Sequence, residues 1–378
     1  MAFEHYVTAG GKRLRRGYTT GTCAALAAAG AARLLLEGQV PVLLRLITPM
    51  GLPVEVEPQV CRMEGEAAVC LVEKDGGDDI DATAGLLIGA SVEKIPSPEI
   101  EIEGGAGVGR VTKPGLDQPV GAAAINHVPR EMIRRETDRV RAAVGYEGGL
   151  KVTVFVPRGE EAAKKTFNPQ LGIEGGISIL GTSGIVEPMS LTALVDTIAL
   201  ELRQAAALGH RRVILTPGNY GLEFLKENGQ GRGEVPTVKC SNFIGQALDA
   251  AAERGFEQVL LVGHAGKLVK VAGGIMNTHS RWADCRTELF CAYAALAGGG
   301  QELCRALMAA PSADGCIALL DEAGLREAVM AGLLEAIQVH LDRRAAGAFQ
   351  VGAVLFTNQY GLLGKTSGAE EILTEWNR

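Results

Sequence analysis

The sequence has no surplus of basic residues: 37 Lys and Arg stand against 44 Asp and Glu, for a net charge of −7. That balance argues against a general polyanion binder such as a nucleic-acid protein, although a local basic patch can still hold a small anion. The eight cysteines contain no CxxC pair and, scattered through a long chain, read as buried free thiols of a reducing cytoplasm. No stretch is long and charge-free enough to span a bilayer. The small-residue run 23–32 behind Arg15-Arg16 imitates a twin-arginine signal only superficially, because 17–22 is polar and glycine-broken and Arg33 interrupts the run. Absent too are a GxxxxGK[ST] phosphate loop and the HxxxH or HExxH spacing of a histidine metal site. The run Gly105-Ala106-Gly107-Val108-Gly109 cannot open a dinucleotide-binding helix, since Pro114 and Gly115 follow so closely; it reads as a turn or bulge. Asp78-Asp79-Ile80-Asp81 reads as a solvated acidic turn, so no metal-ligating set is expected.

Glycine is abundant instead, at 50 residues against 4% aromatics, which implies many tight turns and loops able to approach a ligand closely. With 47% hydrophobic and 21% charged residues the chain is an ordinary soluble globular protein, and 378 residues suggest about two or three domains. Residues 22–37 read as an alanine-rich helix with Thr22 as N-cap and Gly38 as stop. Short β-rich runs follow at 42–48, 54–60 and 67–72, then a polar helix over 130–143 and a strand over 151–156. From 175 onward strands and amphipathic helices alternate. Strands are expected at 177–180, 213–215, 235–239, 258–262 and 351–356, and helical spacing begins at Leu191, Phe243, Trp282, Gln301 and Leu325. The expected architecture is α/β in two domains: a mixed α+β domain over 1–174 and a Rossmann-like domain with a mainly parallel sheet over 175–378.

In an open α/β sheet a ligand sits beyond the carboxyl ends of the strands. Four such ends carry small or hydrogen-bonding residues: Gly181, Thr182, Ser183 and Gly184; then Gly218 and Asn219; then Ser241 and Asn242; then Gly263 and His264. Each alone is an ordinary strand-to-helix turn, but together they favour a nucleoside-bearing ligand. His264 and His279 lie in polar, glycine-rich surroundings and are candidate acids, bases or anion contacts; His5, His127, His210 and His340 read as structural. Basic clusters at 12–16, at Arg130 with its neighbouring arginines, and at Lys164-Lys165 are mostly surface. The first, which holds Arg15 and Arg16, is the preferred carboxylate receiver.

The segment Leu14-Arg15-Arg16-Gly17-Tyr18-Thr19-Thr20-Gly21-Thr22-Cys23 resembles the N-terminal signature of the CbiD family, the cobalt-precorrin-5B C1-methyltransferases of anaerobic cobalamin (vitamin B12) biosynthesis. Lys113-Pro114-Gly115-Leu116, Ala124-Ile125-Asn126, Asn168 to Ile173, Ile179 to Ser190, Gly263 to Gly274, Asn277-Thr278-His279-Ser280 and Asn358 to Gly364 are similar to the same family, in order along the chain. The resemblance implies a cytoplasmic methyltransferase that moves a methyl group from S-adenosylmethionine to ring carbon C1 of cobalt-precorrin-5B, giving cobalt-precorrin-6A. Cobalt would arrive inside the tetrapyrrole substrate, with no nucleic-acid or membrane partner, leaving room for a homo-oligomer or transient contact with neighbouring pathway enzymes. The four strand-end loops would then hold the donor. Arg15, Arg16, Thr19, Thr20, Lys113 and Arg130 would meet the substrate, and His264 and His279 would manage a proton. Two other readings stay open: a nicotinamide-dependent reductase and a non-catalytic carrier, each acting on a corrinoid intermediate.

Overall fold

The computed structural model describes residues 3–227 and 235–377. The chain is mixed α/β and divides into two compact units, Met1–Ser190 and Leu191–Arg378. The boundary therefore falls after 190 and not at the expected 174, because 176–186 adds strands to the first unit. Gly176–Ile177 pairs with Gly107–Val108, Ile179 bridges Ile125, and Ile185–Val186 pairs with Gly17–Tyr18.

The first unit is built on the helix Thr20–Glu37, which starts earlier than expected. Its cap is Thr19, whose side chain accepts from the Thr22 amide at 3.2 Å, and it ends at Gly38 in a left-handed turn. Alanine after alanine lets the helix bury most of its surface against the strands Ala67–Glu73 and Leu87–Ile95 and the helix His127–Ala143. Those strands belong to a five-stranded sheet ordered Val60–Glu64, Ala67–Glu73, Leu87–Ile95, Gly149–Phe155, Ile100–Gly104. All its neighbours are antiparallel except the last pair, which is parallel.

The second unit carries a five-stranded sheet ordered Thr237–Lys239, Arg212–Thr216, Gln258–His264, Gln350–Thr357, Gly361–Lys365. The first four strands are parallel, as expected, and the last is an antiparallel hairpin partner not expected from sequence. Both faces are covered, and the period of two sorts the side chains between them. Val213, Leu215, Val259, Leu261, Val351 and Ala353 pack with the helices Leu191–Ala207, Ile244–Glu253 and Arg326–Ala345. Ile214, Leu260, Val262, Val354 and Phe356 face the helices Asn219–Glu227 and Ser367–Trp376. Among the described residues no helix is long and apolar enough to cross a membrane.

Candidate functional site

The strand order of the second unit reverses direction at its centre. From Arg212–Thr216 the chain steps outward to Thr237–Lys239, then returns to the opposite side for Gln258–His264 and continues outward to Gln350–Thr357. The two central strands thus send their connections in opposite directions, and a crevice opens beyond their carboxyl ends. A cleft of about 670 Å³ lies there, lined by Gly218, Asn219, Asn242, Gly263, His264 and His279 among others. Six of the residues singled out from sequence are brought together. Ser241 is not in the lining, but its left-handed backbone (φ 53°) turns the loop that presents Asn242.

Half-buried between Tyr220 and Phe356, His264 has ring centroids 6.2 and 5.9 Å from theirs. Its Nδ1 accepts a hydrogen bond from the Gly266 amide at 3.0 Å and so caps the short helix Ala265–Leu268. An Nδ1 that accepts leaves the proton of the neutral ring on Nε2, so the imidazole offers a ligand an N–H donor. Burial pushes the His264 pKa down, opposed by the charge of Asp314. His279 repeats the arrangement on an exposed loop, with Nδ1 accepting from the Arg281 amide at 3.1 Å.

That loop is held by Lys270, which sequence reasoning missed. Its side chain is 1% exposed, and Nζ donates to the Thr278 and Ala283 carbonyls, both at 3.0 Å, with Asp284 at 3.6 Å. Burial lowers the Lys270 pKa, while Asp284 opposes the shift. Asp284 also takes a two-pronged contact from Arg286, at 2.5 and 2.8 Å, which with the charge of Arg286 keeps its carboxyl below the usual range. Asn242 ties the same loop from the other side, its carbonyl accepting from the Thr278 amide at 3.0 Å. Lys267 donates to the Pro217 carbonyl at 2.8 Å, and burial lowers its pKa. No spacing rule marks Lys270 or Asp314, because their roles arise only when the loops meet.

The remaining expected site residues lie in the first unit, where most of them make contacts within the chain. Gly181, Thr182, Ser183 and Gly184 do not follow a strand of the parallel sheet; they close over the start of the helix Thr20–Glu37. The Gly184 carbonyl accepts from the Thr19 amide at 3.1 Å and from Thr22 Oγ1 at 2.6 Å, and the Leu180 carbonyl accepts from the Gly21 amide at 3.1 Å. The Thr20 hydroxyl bridges the Ser178 carbonyl and the Leu180 amide, and the Gly21 and Thr22 amides of the first turn are taken by the Leu180 carbonyl and Thr19 Oγ1. Arg15 forks onto Asp75 at 2.5 and 2.7 Å, and Arg16 pairs with Glu187 at 2.5 Å. Arg15 and Arg16 thus tie the acidic loop and the 185–187 strand end to the N-terminal segment. Arg130 is spent on the Ile125 and Ile102 carbonyls, at 2.8 and 3.0 Å. Lys113 stays exposed, with one contact at 3.3 Å to the Gln170 carbonyl. In the acidic turn, Asp81 pairs with the buried Lys74 at 2.5 Å and Asp78 accepts from the Arg15 amide at 2.6 Å; among the described residues no cluster could hold a metal ion.

His127, expected to be structural, carries a paired ring: Nδ1 meets Asp117 Oδ2 at 2.5 Å, while Asp117 Oδ1 accepts from the His127 amide at 2.8 Å. The hydrogen bond to Asp117 raises the His127 pKa, opposite to His264. A histidine-resolved NMR titration is expected to place His127 above 6.5 and His264 below it. The signs for stability follow. The His127 contribution is complete below 6.5 and is lost as pH rises through its raised value, whereas that of His264 is present above 6.5 and is lost as pH falls through its lowered one. Coincident midpoints at 6.5 would contradict both environments.

Comparison with known proteins follows the same two units. A family model described as CbiD matches residues 7–188, and one described as the CbiD C-terminal domain matches 277–367. A cobalt-precorrin-5B C(1)-methyltransferase of Ruminiclostridium cellulolyticum is 46% identical, covering 98% of each chain. The chain belongs to the CbiD family. Proteins of the same name from Alkaliphilus metalliredigens (40% identical; 98% of this chain, 97% of that one) and Photorhabdus laumondii (42%; 96% of each) are also similar. A crystal structure of the cobalamin biosynthesis protein CbiD of Archaeoglobus fulgidus is 29% identical, covers 73% of this chain and 86% of that chain, and has a TM-score of 0.40. In this CbiD chain the first family span ends close to the unit boundary, and the second contains His279, Arg286 and Asp314. Gly218, Asn219, Asn242, Gly263 and His264 lie between the two matched spans.

Proposed function

We infer that this CbiD protein methylates ring carbon C1 of cobalt-precorrin-5B in cobalamin biosynthesis. The observation that carries the reading is 46% identity over 98% of the chain to a protein named for that reaction. We propose that S-adenosylmethionine is the donor, that the second unit is Rossmann-like, and that its 670 Å³ cleft holds the donor. The size falls in the range of ordinary small-molecule sites, roughly 300–1,000 Å³. Gly218 and Gly263 let the strand ends approach the ligand, and Asn219 and Asn242 supply amide groups for its hydroxyl and amino functions.

Methyl transfer from a sulfonium is an in-line displacement. The ring carbon attacks the methyl carbon, the carbon–sulfur bond breaks, and its electron pair neutralises the sulfur of the departing S-adenosylhomocysteine. The enzyme's task is alignment in a water-poor pocket, which needs no protein nucleophile. His264, with an N–H directed by its Nδ1 cap, suits holding a ligand oxygen or nitrogen better than abstracting a proton. Cobalt belongs to the substrate. The first unit is the proposed tetrapyrrole-contacting part, with exposed Lys113 the member of the expected basic set left free to meet a carboxylate.

Calorimetry tests the donor, with S-adenosylmethionine and S-adenosylhomocysteine as ligands and nicotinamide dinucleotides as controls, followed by transfer of a labelled methyl group to the cobalt tetrapyrrole. Binding of the sulfonium pair and a singly methylated product are expected. Tight nicotinamide binding without them would promote the reductase, and tetrapyrrole binding with no nucleoside site the carrier.

A further inference from the structure

Five charged side chains line the cleft, and three of them are accounted for. Lys270 and Arg286 converge on Asp284, and Glu223 is exposed to water. The other two are Lys267 and Asp314. The Lys267 ammonium spends one donor on the Pro217 carbonyl, and among the described residues it makes no salt bridge. Asp314 stands in the first turn of the helix Ala313–Glu322, and its Oδ1 is buried without any hydrogen-bond partner among the described residues. A buried carboxylate oxygen with no donor is costly, and native structures seldom keep one that nothing fills. Asp314 lines the cleft together with His264 at the strand end and with Lys267.

One cavity thus contains an unpaired anion and an unpaired cation that do not pair with each other. A ligand carrying both charges, in the opposite order, neutralises both at once. We propose that Asp314 receives the α-ammonium group of a zwitterionic amino-acid ligand and Lys267 its α-carboxylate. Resting on the donor reading above, this puts the methionine half of the donor at Asp314 and Lys267. The nucleoside half, which is uncharged, falls to the glycine and asparagine loops.

The test uses three ligands and two variants of the full chain. S-adenosylmethionine and S-adenosylhomocysteine carry the amino-acid part; 5′-methylthioadenosine lacks it. Asp314→Asn keeps the shape and removes the charge, and Lys267→Met keeps the stem. Each variant is expected to bind both amino-acid ligands about 10- to 100-fold more weakly, the range of one charge-assisted hydrogen bond, while binding methylthioadenosine as the parent does. Retained methylthioadenosine binding also shows that the variants are folded. Equal weakening of all three ligands by Asp314→Asn would overturn the assignment and make Asp314 a ribose or adenine contact. Unchanged affinity for S-adenosylmethionine in both variants would overturn it outright. A parent protein that binds none of the three would overturn the donor reading, and this inference with it.

Discussion

Gly181→Val is expected to destabilise the first unit by about 3 kcal/mol or more, in the absence of any ligand. Gly181 has a φ of 129°, and a Cβ there would stand 2.5 Å from the Thr19 side chain, which is itself buried and committed to the helix cap. Thr19 cannot step aside without giving up its bond to Thr22 and releasing the start of the helix. Urea unfolding followed by circular dichroism reads the effect, and an unchanged midpoint would mean that the 180–184 loop does not close on the helix as described. Taken as a donor-site glycine, Gly181 would change affinity while leaving the ligand-free protein as stable as before.

Lys270→Met is expected to cost a similar amount, about 3 kcal/mol, and also to weaken the cleft. Methionine fills most of the volume of the lysine stem, so the loss comes from the polar end. The Thr278 and Ala283 carbonyls lose their donor, and Asp284 keeps only Arg286. Thr278, His279 and Ser280 line the cleft, so donor affinity should fall together with stability. Lys270→Arg is not a neutral control, because a planar fork cannot occupy a site built for a compact ammonium. Calorimetry beside urea unfolding checks the pair of effects; a variant as stable as the parent would show that the loop is held by other contacts, such as those from Asn242.

The parallel sheet was legible because each strand is an apolar run ending in small residues, and the burial pattern on both faces demands such runs. The four-residue strand at 177–180 was not part of it. An isolated apolar stretch before a glycine loop has the same local form in either unit, and only its partners, Ile125 and the Gly107–Val108 strand, decide where it belongs. The helices Asn219–Glu227 and Ala313–Glu322 lacked a clear sequence signal, and with the second went Asp314. The partners of Arg15 and Arg16 were not legible for a related reason. A basic cluster looks free in sequence, whereas its neutralising partners, Asp75 and Glu187, lie 60 and 171 positions away. The strand-end residues Gly218, Asn219, Asn242 and Gly263 come together in one cleft because their positions follow from topology alone.

The clasp between the Thr19-Thr20 segment and residues 178–184 also governs the order in which the chain can fold. Thr20 and Thr22 find their partners 158 and 162 positions later. On the ribosome, the helix Thr20–Glu37 emerges with its start unsatisfied and an alanine-rich surface that has little to pack against. The strands Ala67–Glu73 and Leu87–Ile95 and then the helix His127–Ala143 cover its length as they are made, but its start waits until nearly the whole first unit is complete. Closing so long a loop adds only modestly to the entropy cost, since that cost grows with the logarithm of length, but it delays the last step. Synthesis of the second unit therefore begins as the first is just becoming able to finish, and a truncation anywhere before residue 186 is expected to leave the N-terminal signature without its seat.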